Sequence, residues 1–80
     1  MGIMKITKIA DPKLKSEIAN SILRDLPDWF GIESAIVDYI HDVQLMETWA
    51  VYEDSKAIGF ASINRHFSNA AEIHVMGIRL

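Results

Sequence analysis

Thr48-Trp49-Ala50-Val51-Tyr52-Glu53-Asp54-Ser55-Lys56-Ala57-Ile58-Gly59-Phe60-Ala61-Ser62-Ile63 carries the densest secondary-structure signal in the chain. Its first six residues, Thr48 to Glu53, are rich in β-formers, which suit a pleated, half-buried surface. Asp54-Ser55-Lys56 makes a tight turn, because Asp and Ser fold their side chains onto nearby backbone groups. Ala57 to Ile63 follows as the return strand, with Gly59 inside it. An antiparallel hairpin is therefore expected in the second half of the chain.

On the N-terminal side, Ile3 to Ile9 alternates and reads as a short first strand. Asp11-Pro12 then opens a helix: Asp11 caps free amides, and Pro12 occupies a position where its missing N–H costs nothing. Leu14, Ile18, Ile22 and Leu26 recur at fourfold spacing, with Ala19 and Leu23 widening the stripe, and the helix ends before Pro27. Leu26 to Gly31 is a turn carrying Trp29 and Phe30. A second helix is expected from about Glu33 to Val43, with Ile36, Val37, Ile40 and Val43 facing inward. On the C-terminal side, Asn64 to Asn69 reads as a polar loop and Ala71 to Arg79 as a last strand. The order is β-α-α-β-β-β, an α+β fold of sandwich type with a mainly antiparallel sheet, without internal repeat or linker.

Composition narrows the function classes. Eighty residues, half of them hydrophobic and 24% charged, suit a small globular unit with little surplus stability. There is no cysteine, so disulfides and cysteine-based zinc sites are excluded. No apolar run approaches the roughly 18 residues of a membrane span, and Met1 to Lys5 lacks a signal-peptide core. A cytoplasmic location is the resulting expectation. A net charge of −3 and a pI near 5.4 leave no basic footprint for nucleic acid.

Three local stretches and the order of elements resemble the opening half of the GNAT superfamily of N-acetyltransferases. Leu26-Pro27-Asp28-Trp29-Phe30-Gly31 with Asp38-Tyr39-Ile40 resembles the region of its first two helices. Ala57-Ile58-Gly59-Phe60-Ala61-Ser62-Ile63 is similar to its third strand, and Ala71-Glu72-Ile73-His74-Val75-Met76-Gly77-Ile78 to its fourth. In such proteins the fourth strand runs into an Arg/Gln-x-x-Gly-x-Gly/Ala loop that cradles the pyrophosphate of acetyl-CoA. The resemblance covers nearly all of residues 1–80, yet only about half of the family's domain. It implies a single partial domain lacking that loop and the helix after it.

The resemblance implies an enzyme that transfers acetyl from acetyl-CoA to an amine, with this chain as its inactive N-terminal part. The backbone of Met76, Gly77 and Ile78 would then lie beside the acetyl group and pantetheine arm. Glu72, at the head of the last strand, is the candidate base for an ammonium substrate. A solvated strand-end glutamate has the same signature. His74 shares its face if the strand is regular. Trp29 and Phe30 would wall the acceptor site, or else pin their loop to the core. Eight acidic residues and no Lys or Arg lie between Asp25 and Asp54, which is either an acidic border that would attract cationic amines or a solvated helix face that keeps the protein soluble. The histidines His41, His66 and His74 fit no metal spacing, and no metal is expected.

A second reading is a non-enzymatic, oligomeric interaction module. Under either, the last strand is expected to have a free edge, and the sheet a bare face where helices are missing. A homodimer held partly through Ala71 to Arg79 follows, since free edges recruit other strands.

Overall fold

The computed structural model describes residues 3–27, 30–67 and 70–79, with the backbone alone for His66 and Phe67. The elements are β1 (Met4–Ile9), α1 (Pro12–Arg24), α2 (Glu33–Asp42), a 3-10 turn (Val43–Leu45), β2 (Glu47–Glu53), β3 (Lys56–Phe67) and β4 (Ala70–Ile78). The four strands form one sheet in the order β1-β2-β3-β4, and every adjacent pair is antiparallel. The α+β class and the β-α-α-β-β-β order match the reading of the sequence.

Asp11 caps α1 as expected: its Oδ1 accepts the Lys13 amide at 3.0 Å, with Pro12 in the first turn. The helix closes at Arg24, earlier than the apolar spacing suggested. The amides of Asp25 and Leu26 bond back to Ile22 and Leu23, tightening the chain ahead of Pro27. Its buried stripe is Ile18, Ala19, Ile22 and Leu23. In α2, Ile36 is buried and Ile40 half-buried, with Val43 buried just beyond, whereas Val37 is exposed. Three inward residues at i, i+4 and i+7 fill the stripe, and a neighbour turned by 100° lies outside it. Arg24 clamps the two helices together through a bidentate bond to Glu33 at 2.6 and 2.7 Å.

The hairpin reverses through Asp54-Ser55, where Asp54 takes a left-handed φ of 57°, a conformation that Asp tolerates better than most residues. β3 runs on to Phe67, so Asn64 and Arg65, read as loop, are ladder residues opposite Glu72 and Ala71. Arg65 is held in the strand by Glu47 of β2, which accepts from its Nε at 2.8 Å. That partner is distant in sequence and invisible to a local polarity reading.

The core lies entirely between the helices and one face of the sheet. Ile18, Ile22, Leu23 and Ile36 meet Ile9, Ala50, Phe60 and Val75 there. At Gly77 the approach is closest: a Cβ would stand 3.2 Å from both Ile22 and Leu26. The other face is left apolar and open, with Met4, Ile6, Trp49, Ile73, Met76 and Ile78 exposed.

Two hydroxyls interrupt the buried face. Thr48 Oγ1 and Ser62 Oγ, on paired positions of β2 and β3, are 2.8 Å apart and fully buried. Thr48→Val should destabilise the protein by about 1–3 kcal/mol, because Ser62 keeps a buried hydroxyl without its partner. Adding Ser62→Ala should cost less than the two single effects together. Urea unfolding of the four proteins in this cycle measures both.

Candidate functional site

The best-defined polar constellation sits where the C-terminal end of α2 meets β4. A bulge creates it. Ser62 pairs with Val75 and Ile63 with Ile73, so His74 is the extra residue of β4. Freed from the ladder, His74 reaches α2, and its Nε2 lies 3.1 Å from Asp42 Oδ2. Tyr39, one turn earlier on α2, meets the imidazole edge-on at 5.6 Å and Phe30 edge-on at 6.1 Å. A carboxylate on Nε2 favours the tautomer that carries its proton there, which makes Nδ1 an acceptor when the ring is neutral. The group therefore can hold and pass a proton.

The sequence candidates fall around this constellation unequally. Glu72 lies on β4 opposite Asn64 and is exposed. The regular alternation expected to join it to His74 is interrupted by the bulge between them. Phe30 is half-buried and packs against the core, which fits the loop-pinning alternative. Trp29 lies outside the described residues. Met76, Gly77 and Ile78 pair with Ala61, Phe60 and Gly59. Gly77 faces α1, while Met76 and Ile78 stand exposed on the opposite face. Asp42 and Arg79 were not singled out as site residues. Asp42 acquires its partner only through the bulge, and nothing local in the sequence marks that.

Arg79 borders a second feature, a cleft of about 410 Å3 between α1 and the β2–β3 hairpin. Leu14, Glu17, Ile18, Tyr52 and Lys56 line it with Arg79. The guanidinium donates to Asp25 and to Ser21 Oγ, while its buried Nε has no partner among the described residues. The cleft sets charges of both signs, Glu17 against Lys56 and the Asp25-paired Arg79, over an apolar floor.

Half of the eight carboxylates of the acidic stretch meet partners from elsewhere in the chain. Asp25 pairs with Arg79, Glu33 with Arg24, Asp42 with His74 and Glu47 with Arg65. Folding thus brings basic partners from α1, β3, β4 and the residue after β4 to a segment that has none of its own. Among the described residues, no group of three or more His, Asp or Glu is placed to hold a metal ion, and no helix is long and apolar enough to cross a membrane.

No protein-family model, curated protein or solved structure matches this chain.

The pKa of the Glu47 carboxyl is strongly depressed. A hydrogen bond from Arg65, then one from the Trp49 indole, lowers it to about 2. A depressed carboxyl stabilises the fold above its unfolded value of about 4.3 and loses that contribution as pH falls through about 2. Glu47→Gln should therefore lower the melting temperature slightly at neutral pH, as exposed pairs contribute little. The gap to the parent protein should narrow between those two pH values and close below them. Thermal melts by circular dichroism across that range provide the check.

Proposed function

We propose that this chain is the N-terminal half of an acetyl-CoA-dependent N-acetyltransferase domain, inactive until the cofactor-binding elements join it. The observation that supports this reading most is the sheet itself. Two helices cover one face, the other face is apolar and open, and β4 ends the strand order with no partner on its outer side among the described residues. A half-domain awaiting further elements has these features.

The fit to acetyl-CoA is partial. β4 offers an unpaired backbone edge at Met76 to Ile78, where a pantetheine arm finds amide donors and carbonyl acceptors. A pyrophosphate cradle is lacking among these residues. Gly59 and Gly77 lie on adjacent strands in tight packing, and Gly31 stands against the Pro27 carbonyl. The donors for the phosphates have to come from outside them.

At the acceptor end, this reading assigns proton uptake from an ammonium substrate to Glu72 and the His74–Asp42 pair. Tyr39 and Phe30 wall the same end. A neutral amine is the nucleophile that acetyl transfer requires, so a base here acts on the acceptor and leaves cofactor affinity unaffected.

The open apolar face also favours a second reading, an interaction module without catalysis. One experiment separates the two. The chain is fused to a C-terminal half carrying the Arg/Gln-x-x-Gly-x-Gly/Ala loop, and acetyl-CoA binding and amine acetylation are measured. The enzyme reading expects saturable binding by the fusion, negligible binding by the chain alone, and a Glu72→Gln fusion about 10²–10⁴-fold slower at unchanged cofactor affinity. A folded fusion that neither binds acetyl-CoA nor acetylates amines leaves the interaction module.

A further inference from the structure

The uncovered sheet face is the largest feature that the site chemistry leaves unused. Its residues follow from the strand register. Met4, Ile6 and Lys8 of β1 stand on it, opposite Glu53, Val51 and Trp49 of β2. Ala61, Met76 and Ile78 continue the rows on β3 and β4, and Ile63 pairs with Ile73 further along. The six largest exposed apolar side chains range from Trp49 at 36% to Ile6 at 69%. A cleft of about 320 Å3 lined by Met4, Ile6, Val51, Ile58 and Ile78 crosses the centre of the face.

We propose that two copies of this chain pack face to face through this uncovered sheet surface, related by a two-fold axis crossing the strands over the Ile6–Val51–Ile78 row. The proposal rests on the interaction-module reading, since in the acetyltransferase reading further elements of the domain would cover this face. It concerns the face of the sheet, so β4 takes part through Ile73, Met76 and Ile78 and its free edge is not the seam.

Area is the first support. At roughly 100 Å2 each, the six side chains offer on the order of 600 Å2 per copy, the upper end of what a monomer leaves exposed as one patch. With the flanking charged residues the contact approaches the ~800 Å2 per partner of a standard interface. Sheets that pack in this manner align their strands within about 30°, and their inner faces interdigitate. The central cleft of each copy then receives apolar side chains of the other.

Charge is the second support, and it selects a second copy over an unrelated partner. At one end of the face Lys8 and Arg65 outnumber Glu47; at the other, Glu53 and Asp54 outnumber Lys56. A two-fold axis across the strands lays the positive end of each copy over the negative end of its mate. Lys8 of one copy comes beside Glu53 of the other, twice per dimer. The surface is thus complementary to itself, as a two-fold interface has to be. An axis along the strands would set like ends together, at a cost.

The test uses the 80-residue chain. Light scattering across a dilution series should give a dimer at high micromolar concentration. Ile6→Asp and Met76→Glu, both at exposed positions, should each weaken dimerisation by at least ~10-fold, because each change enters the interface twice and buries a charge there. Lys8→Glu and Glu53→Lys should each weaken self-association by about fivefold, and an equimolar mixture of the two should recover the parent affinity as a mixed dimer. Far-ultraviolet circular dichroism confirms that every variant is folded. A folded parent chain that stays monomeric overturns the proposal. So does a dimer indifferent to Ile6→Asp and Met76→Glu, or a charge-exchanged mixture that shows no recovery.

Discussion

Two helices have to cover a four-stranded sheet, and they suffice for one face. Everything else in this protein follows from that one-sided burial. The residues that α1 and α2 bury on the sheet, Ile9, Thr48, Ala50, Phe60, Ser62, Val75 and Gly77, are small or medium apart from Ile9 and Phe60. Small side chains let the helices approach closely, and at Gly77 even a methyl group would meet Ile22 and Leu26. The large side chains of the sheet are thereby displaced to the opposite face. A helix layer this close gains dispersion contacts on one side while leaving isoleucine, methionine and tryptophan in water on the other.

Polar groups confine this asymmetry to one register. A one-residue slip of β3 against β2 would turn Ser62 towards the open face and separate it from Thr48, leaving a buried hydroxyl without its partner. On the open face the Glu47–Arg65 pair, with the Trp49 indole bonded to the same carboxylate, marks the corresponding register from outside. The two faces of one hairpin are thus indexed independently. Arg24 and Glu33 serve α1 and α2 similarly, since a bidentate pair constrains both separation and rotation.

How much was legible in the sequence depended on whether a residue's partner was local. The hairpin was legible because β-formers and a polar turn are neighbours in the chain. The start of α1 was legible because Asp11 and Pro12 act within one turn. Asn64 and Arg65 read as loop because what keeps them in β3 lies on other strands, the β4 ladder for both and Glu47 for Arg65. Val37 was misplaced because apolar character alone does not state which of two adjacent residues faces in. The candidate site was legible in part. Glu72 and His74 were visible as titratable residues, but the pairing of His74 with Asp42 depends on a bulge that no periodicity announces. The pairing of the acidic run was not legible, because charge along a chain is not charge on a surface. Four of its carboxylates fold onto partners supplied by other elements.

The two ends of β4 differ in stiffness in a way that suits different tasks. Around Gly77 the strand is pinned between α1 on one side and β3 on the other, and alternation places Met76 and Ile78 directly behind that tight packing. A partner seated on the open face meets side chains whose backbone is already fixed, so little ordering remains to oppose association. Around His74 the bulge breaks the ladder, and the residue is held by a single contact to Asp42 and the edge of Tyr39. One side-chain hydrogen bond is a weaker constraint than a ladder. The strand thus divides into a half fixed by close packing and a half held by side-chain contacts, and the boundary between them is the single residue that the bulge inserts.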